Sequence, residues 1–168
     1  MSDAPTTDPT LDRLLRHMAW ANATLLGWLG GLSDDALAAT APQNEWSAGR
    51  ILDHLVNAAG GYATRLDGGA RLTAPPLITS TSQLEERAAR LAGYDARLRA
   101  HAAQPEGRAS YAGDDRTFAR STVLGQAIHH ATEHRAQIAG ALATNGISAI
   151  DLDAIDLWEY GEAEGLGD

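Results

Sequence analysis

Apolar residues recur three and four positions apart in four long segments of the chain, the spacing that predicts amphipathic α-helices. The first segment follows Asp8-Pro9, an N-cap and a proline in the first turn, and ends at Gly30-Gly31. The second lies between Ser47, its predicted N-cap, and Gly68-Gly69. Between these two helices, Ser33 and the acidic residues after it predict a short helical turn.

The third helix is predicted to open with a capping box, in which Ser82 and Glu85 exchange hydrogen bonds with the backbone. The fourth is predicted to begin with Ser121 as its N-cap. Residues 105–120, between these helices, are ambiguous. The sequence YAGDDRTFAR fits either a short hairpin that turns near Gly113 or an irregular loop.

The fourth helix should end at Asn145-Gly146, and the tail after it predicts a short helix that covers one end of the core. The apolar residues of that tail are Leu152, Ile155, Leu157 and Trp158. With little strand signal and no internal repeat, the chain predicts an all-α fold, an antiparallel four-helix bundle with a short C-terminal helix. Residues 1–9 are expected to be a flexible tail, and residues 10–168 a single domain.

Composition and charge narrow the classes of function. The 168 residues carry a formal net charge of −9, which disfavours contact with nucleic acids and with anionic membranes. There is no cysteine, so any metal must be held by histidine, carboxylate or water. All 13 basic residues are arginine, which removes covalent catalysis by lysine. The sequence shows no signal peptide and no membrane span, and a cytoplasmic protein is expected.

The most informative residues are two histidines four positions apart in the fourth helix, His130 and His134. Their rings project from one helix face and can bind one metal ion, while a third histidine from another helix would leave coordination positions open. Helical geometry turns His129 to the opposite flank. Ala131 stands where the HExxH protease motif has its glutamate. His54 lies off the apolar stripe of its own helix, and periodicity alone predicts that it faces solvent.

Three segments in chain order resemble the DinB-like superfamily of metal-binding four-helix bundles. They are HMAWANATLLGWLGGLSDDAL, EWSAGRILDHLVNA and HHATEHRAQI. The last is similar to the family's His-x-x-x-His-Arg-Gly-Gln signature, with Ala136 in the place of the glycine. The resemblance spans residues 11–145 and implies that His54, His130 and His134 are metal ligands.

The resemblance also singles out four further residues, Trp20, Asn22, Arg135 and Gln137. Gln137 is expected to orient a ligand or a water molecule from one turn beyond the second histidine. Trp20 and Asn22 either contribute to the site or serve core packing and a local hydrogen bond. Arg135 either recognises an anionic substrate or pairs with one of the many acidic residues.

The implied cofactor is a divalent metal ion, zinc or nickel first, with iron and manganese as alternatives, because imidazole binds all of them. The first functional hypothesis is an enzyme that transfers a low-molecular-weight thiol, such as bacillithiol or mycothiol, to an electrophilic small molecule. The thiol would come from solution. A loop-lined pocket near residues 68–80 and 105–120 would receive the substrate.

Two other functions remain open on the sequence. One is a metal-dependent hydrolase, for which Glu133, Asp53 and His129 are the proton acceptors nearest in sequence. The other is a non-catalytic stress-response bundle that binds a ligand or dimerises, with the metal bracing the fold. A homodimer through an exposed helix face is also expected.

Overall fold

A computed structural model of the protein describes residues 8–42 and 44–166. In chain order its elements are α1 (Pro9–Gly30), α2 (Asp35–Ala38), β1 (Thr40–Ala41), β2 (Asn44–Ser47), α3 (Ala48–Leu66), α4 (Leu84–Ala102), β3 (Arg108–Ala109), β4 (Phe118–Ala119), α5 (Arg120–Thr144) and α6 (Leu157–Ala163). Helix α1 packs on α4 and α5, and α3 packs on the same two helices. The predicted all-α four-helix bundle is confirmed. None of the described helices has the length and apolar character needed to span a membrane.

Two of the predicted helix caps are present. Asp8 caps α1, where its carboxylate accepts two backbone N–H groups at 2.8 and 3.0 Å, and Pro9 occupies the first turn. The Ser47 hydroxyl accepts the backbone N–H of Arg50 at 3.3 Å and so caps α3. These caps satisfy N–H groups that have no partner inside the helix. Residues 1–7 of the predicted tail lie outside the described residues.

The predicted capping box of the third helix is wrong by two residues. The box is formed by Ser80 and Gln83, and it opens a 3₁₀ turn, Thr81–Gln83, that leads into α4. The Gln83 side-chain oxygen accepts the Ser80 N–H at 3.1 Å. The sequence offers two boxes in overlapping register, Ser80 with Gln83 and Ser82 with Glu85. The extended backbone at Ser80 selects the first.

The start of the fourth helix also differs from its prediction. Ala119 is the N-cap of α5, and Ser121 lies inside the first turn with its own N–H bonded to the Glu106 carboxylate. The chain arrives at this helix through β4, which pairs with β3 in an antiparallel hairpin. Of the two interpretations of residues 105–120, the hairpin is the one observed, with Gly113 in its turn at φ +74°.

The C-terminal tail forms a 3₁₀ turn, Asp153–Ile155, followed by α6, and it contacts the core through few side chains. Ile155 and Tyr160 are buried, whereas Leu152, Leu157 and Trp158 are exposed, Trp158 by 83%. The expectation that all four apolar residues cover the core is therefore wrong for three of them. A break at Asp156 separates two short helical turns, so the four residues do not share one helix face.

A buried polar chain links three of the long helices. On α5, Arg135 Nη1 donates to Asn22 Oδ1 of α1 at 2.7 Å, and Asn22 Nδ2 donates to Asp95 Oδ2 of α4 at 3.0 Å. The three residues are at most 3% exposed. The amide of Asn22 presents its oxygen to the cation and its N–H to the carboxylate, and thereby compensates two charges in the core.

Loss of the amide should be costly. We expect Asn22→Ala to lower the free energy of unfolding by about 3 kcal/mol or more, because it leaves a buried guanidinium and a buried carboxylate without their partner. Asn57→Ala, at a half-buried position on α3, is the matched control. Urea unfolding followed by circular dichroism measures both, and equal losses in the two variants would contradict a special role for Asn22.

Candidate metal centre

Three imidazole nitrogens converge where α3 faces α5. His130 Nε2 lies 3.1 Å from His54 Nε2 and 2.9 Å from His134 Nε2. One ligand atom from each of the three residues lies within 4.8 Å of the others. Nitrogens bound to one ion at the usual metal–nitrogen distance are about 3.0–3.4 Å apart. The two shorter separations lie close to this range, and the cluster is therefore a candidate site for a single ion.

The structure corrects the interpretation of His54 as a solvent-facing residue. His54 is half-buried, and its ring centroid lies 5.0 Å from that of His130 and 4.9 Å from that of His134. Apolar periodicity locates the core stripe of a helix but not the seam beside it, where a neighbouring helix covers polar residues. His129, which is predicted to lie on the opposite flank of α5, is exposed.

The hydrogen bonds of His134 leave its inner nitrogen free to bind a cation. Its Nδ1–H donates to Gln137 Oε1 at 2.7 Å, and the Gln137 amide N–H donates in turn to Glu133 at 3.3 Å. With the proton on Nδ1, Nε2 carries a lone pair that points at His130. Gln137 thus orients a candidate ligand.

The donor set also fits an ion better than it fits a hydrogen-bond network. A bond between two ring nitrogens needs one N–H and one lone pair. His130 Nε2 offers either one N–H or one lone pair, yet it lies within hydrogen-bonding distance of two other nitrogens. A cation would accept lone pairs from all three rings at once. The absence of cysteine leaves this a set of neutral nitrogen ligands.

The surroundings of His130 and His54 favour the neutral form of their imidazoles. Burial, and then the neighbouring histidines, lower the pKa of His130 to about 4. Burial likewise lowers the pKa of His54, with smaller contributions from His134 and Arg50. Both rings are therefore uncharged at neutral pH, the state in which imidazole binds metal ions.

Two aromatic residues that the sequence interpretation missed form the walls of the cluster. The ring of Trp46, on β2, lies edge-on to His54 at 5.0 Å, and the ring of Tyr62, on α3, lies edge-on to His130 at 5.6 Å. Tyr62 follows His54 by eight residues, so both lie on one face of α3, and this spacing was a usable signal. The position of Trp46 depends on the β1–β2 hairpin and has no such signal.

A cavity of about 340 Å³ adjoins the cluster at Tyr62, and we refer to it as the side cavity. It is enclosed by α3, α5 and two loops that are joined where Ala112 N–H donates to Gly69 O at 2.9 Å. Three of its lining residues, Arg71, Tyr111 and Phe118, belong to segments 68–80 and 105–120, where the sequence predicts a pocket. Its lining residues include Tyr62, Arg65, Arg71, Tyr111, Phe118 and Gln126.

The remaining predicted site residues make no hydrogen bond to the three histidines in the described part of the chain. Trp20 packs against His17 and Tyr160, with ring centroids 6.2 and 5.3 Å away. Asn22 and Arg135 belong to the buried polar chain. Of the two roles left open for Arg135, the structure places it with an acid, Asp95, through the Asn22 amide.

Asp95 is a polar residue near the cluster that the sequence interpretation missed. With Tyr62 and His130 it lines a cavity of about 10 Å³, the size of one water molecule. Its Oδ1 has no hydrogen-bond partner among the described residues. Burial raises the pKa of Asp95 to about 6, against the smaller lowering effects of Asn22 and Arg135.

This carboxyl should make stability depend on pH. Its pKa is higher in the folded protein than in the unfolded chain, so the folded state gains stability as the pH falls from 7 to about 4. In Asp95→Asn that gain is absent. Urea unfolding gives the free energy of unfolding of the variant minus that of the wild type. We expect this difference to be about 2–3 kcal/mol higher at pH 7 than at pH 4. The same difference at both pH values would contradict this assignment.

The sequence model of the DinB family matches residues 1–162. Among solved structures, the chain is similar to a DinB-like protein from Bacillus cereus. The two are 17% identical, with a TM-score of 0.60, over 82% of this chain and 94% of the other. No curated protein matches the chain by sequence.

Proposed function

The chain belongs to the DinB family, and on this premise we propose that it is a metal-dependent enzyme that transfers a low-molecular-weight thiol to an electrophilic small molecule. His54, His130 and His134 would hold one divalent ion, zinc or nickel first. The observation that carries the proposal is the convergence of their three Nε2 atoms, with His134 oriented by Gln137. When bound, such an ion would stabilise the thiolate form of a thiol at neutral pH.

The chain's own residues suit this chemistry in three ways. Gln137 holds the His134 ring in the tautomer that binds a cation. The rings of Trp46 and Tyr62 cover two sides of the histidine cluster and reduce the access of water. The chain has no cysteine, so the thiol would come from solution, and the side cavity offers space for a second reactant on the other side of Tyr62 from His130.

The positions of the candidate bases make hydrolysis the second choice. Asp53 is buried in an ion pair, with Arg87 Nε 2.8 Å from its Oδ1. Glu133 accepts a hydrogen bond from Gln137, and His129 is exposed on the other flank of α5. A hydrolase needs a positioned acceptor for the proton of its water. A thiol of lowered pKa can lose its proton directly to solvent.

Metal content tests the ligands. We expect about one equivalent of metal per chain in the wild type and none in the His54/His130/His134 triple-alanine variant, measured by inductively coupled plasma mass spectrometry. Gln137→Ala should weaken metal affinity by about 10–100-fold, because the His134 ring loses its orienting hydrogen bond. Gln104→Ala, at an exposed position of the loop after α4, should retain full affinity. Failure of the wild type to take up metal on titration would end the enzyme proposal.

Thiol-dependent turnover tests the reaction. With bacillithiol or mycothiol and monochlorobimane, we expect the metal-loaded protein to form the fluorescent thioether, as a carbon–sulfur bond forms and chloride leaves. His130→Ala should lose this activity, and Trp158→Ala, at a remote exposed position, should keep it. Cleavage of an ester without added thiol, together with no thioether formation, would favour the hydrolase instead.

A further inference from the structure

The side cavity carries an excess of positive charge in an acidic protein. Arg65 and Arg71 line it, and one carboxylate, Asp114, faces both. Asp114 Oδ2 lies 2.6 Å from Arg71 Nη2 and 3.9 Å from Arg65 Nη2. Two cations and one anion leave one positive charge, whereas the chain as a whole carries −9. Such a local reversal of sign attracts anions to this part of the surface.

Neighbouring groups hold the Arg65 side chain in place but leave two of its guanidinium nitrogens available to a ligand. Its guanidinium lies between the rings of Tyr111 and Phe118, with centroids 4.2 and 4.8 Å away. Its Nη1 donates to the backbone oxygen of Arg116 at 3.2 Å, and its side chain is 13% exposed. Its Nε and Nη2 make no hydrogen bond to any described residue. Aromatic stacking covers the faces of a guanidinium and leaves its edge available, which suits recognition of a carboxylate.

The backbone around the side cavity is built for close approach. A Cβ at Gly61 would lie 3.0 Å from the Tyr111 hydroxyl, so the absence of a side chain there lets Tyr111 lie against α3. At the neighbouring Gly60 a Cβ would lie 2.8 Å from the Tyr94 ring of α4 and 2.9 Å from Leu72 Cδ1. Gly61 thus allows the loop that carries Tyr111 to close over α3.

The side cavity and the histidine cluster share one wall. Tyr62 lines the cavity and also lies edge-on to His130. A small molecule whose acidic group binds at Arg65 and Arg71 would therefore contact the Tyr62 ring, which separates it from His130. Its volume of about 340 Å³ is at the lower end of the range for small-molecule sites, which suits a metabolite-sized ligand.

From this arrangement we propose that the side cavity binds a small organic carboxylate, with Arg65 and Arg71 holding the carboxylate group and Tyr62 contacting the apolar part. The role of this ligand as the electrophilic substrate rests on the proposed transferase function. The binding itself requires only the arginines and the aromatic wall. Asp114 already faces both arginines, so it competes with the carboxylate of the ligand for them.

The test compares cinnamate with cinnamamide, which have the same shape and differ in charge. Isothermal titration calorimetry on the full chain should show cinnamate binding at least about tenfold more tightly than the amide, as expected for charge-assisted hydrogen bonds. The preference should disappear in Arg65→Gln/Arg71→Gln. Arg71→Gln alone, at a side chain that is 65% exposed, should reduce the preference without risk to folding.

Two further variants sharpen the comparison. Asp114→Asn should increase the preference for cinnamate, because it removes the competing charge and keeps an oxygen to accept the Arg116 N–H, now bonded at 2.9 Å. Arg108→Gln, on the same hairpin but bonded to Thr117 outside the cavity, should leave the preference unchanged. Equal affinity for acid and amide in the wild type, binding of neither, or a preference that survives the double substitution would each overturn the proposal.

The experiment separates this proposal from the proposed reaction. The titrations are repeated on His130→Ala, which keeps the side cavity and lacks one candidate metal ligand. Arginine-dependent binding of cinnamate by His130→Ala would show that the anion site does not need the metal centre. The same binding by a metal-loaded wild type that transfers no thiol would support the anion site and refute the transferase. Thiol transfer by a protein that does not distinguish cinnamate from its amide would support the transferase and refute the anion site.

Discussion

The bundle depends on the compensation of charge in its core. Arg135 and Asp95 are buried on different helices, and the Asn22 amide is the group that meets both. A guanidinium cannot lose its charge at neutral pH, so its position in the core is tolerated only where acceptors wait for it. Satisfying this requirement fixes how α5 is rotated relative to α1 and α4.

The histidine cluster follows from that rotation and from a second buried pair. His134 precedes Arg135, and neighbouring residues on a helix point about 100° apart. With Arg135 turned to the core, His134 turns to the seam with α3. On α3, Asp53 is bound to Arg87 of α4 at 2.8 Å and to the Ile78 N–H at 2.5 Å. That contact likewise turns the next residue, His54, towards α5.

The histidine cluster is also connected to the loops around it. The Asp53–Arg87 pair also anchors the loop before α4, because Arg87 Nη2 donates to Pro76 O at 2.8 Å. The hairpin between α4 and α5 reaches over α3 and closes the side cavity with Tyr111 and Phe118. The Tyr62 ring then lies between the nitrogen atoms of the histidine cluster and the arginines of the side cavity.

The sequence alone determined the four helices, because apolar spacing, glycine stops and the Asp8 and Ser47 caps are local properties. It also determined that His130 and His134 share a face, while their pairing with His54 came from family resemblance. It did not determine the register of a capping box, the rotation of α3 that brings His54 to the seam, or the charge of the side cavity. These features depend on contacts between residues such as Asn22 and Asp95, or Arg65 and Asp114, which lie far apart in the chain. Only the packed tertiary structure decides which of them meet.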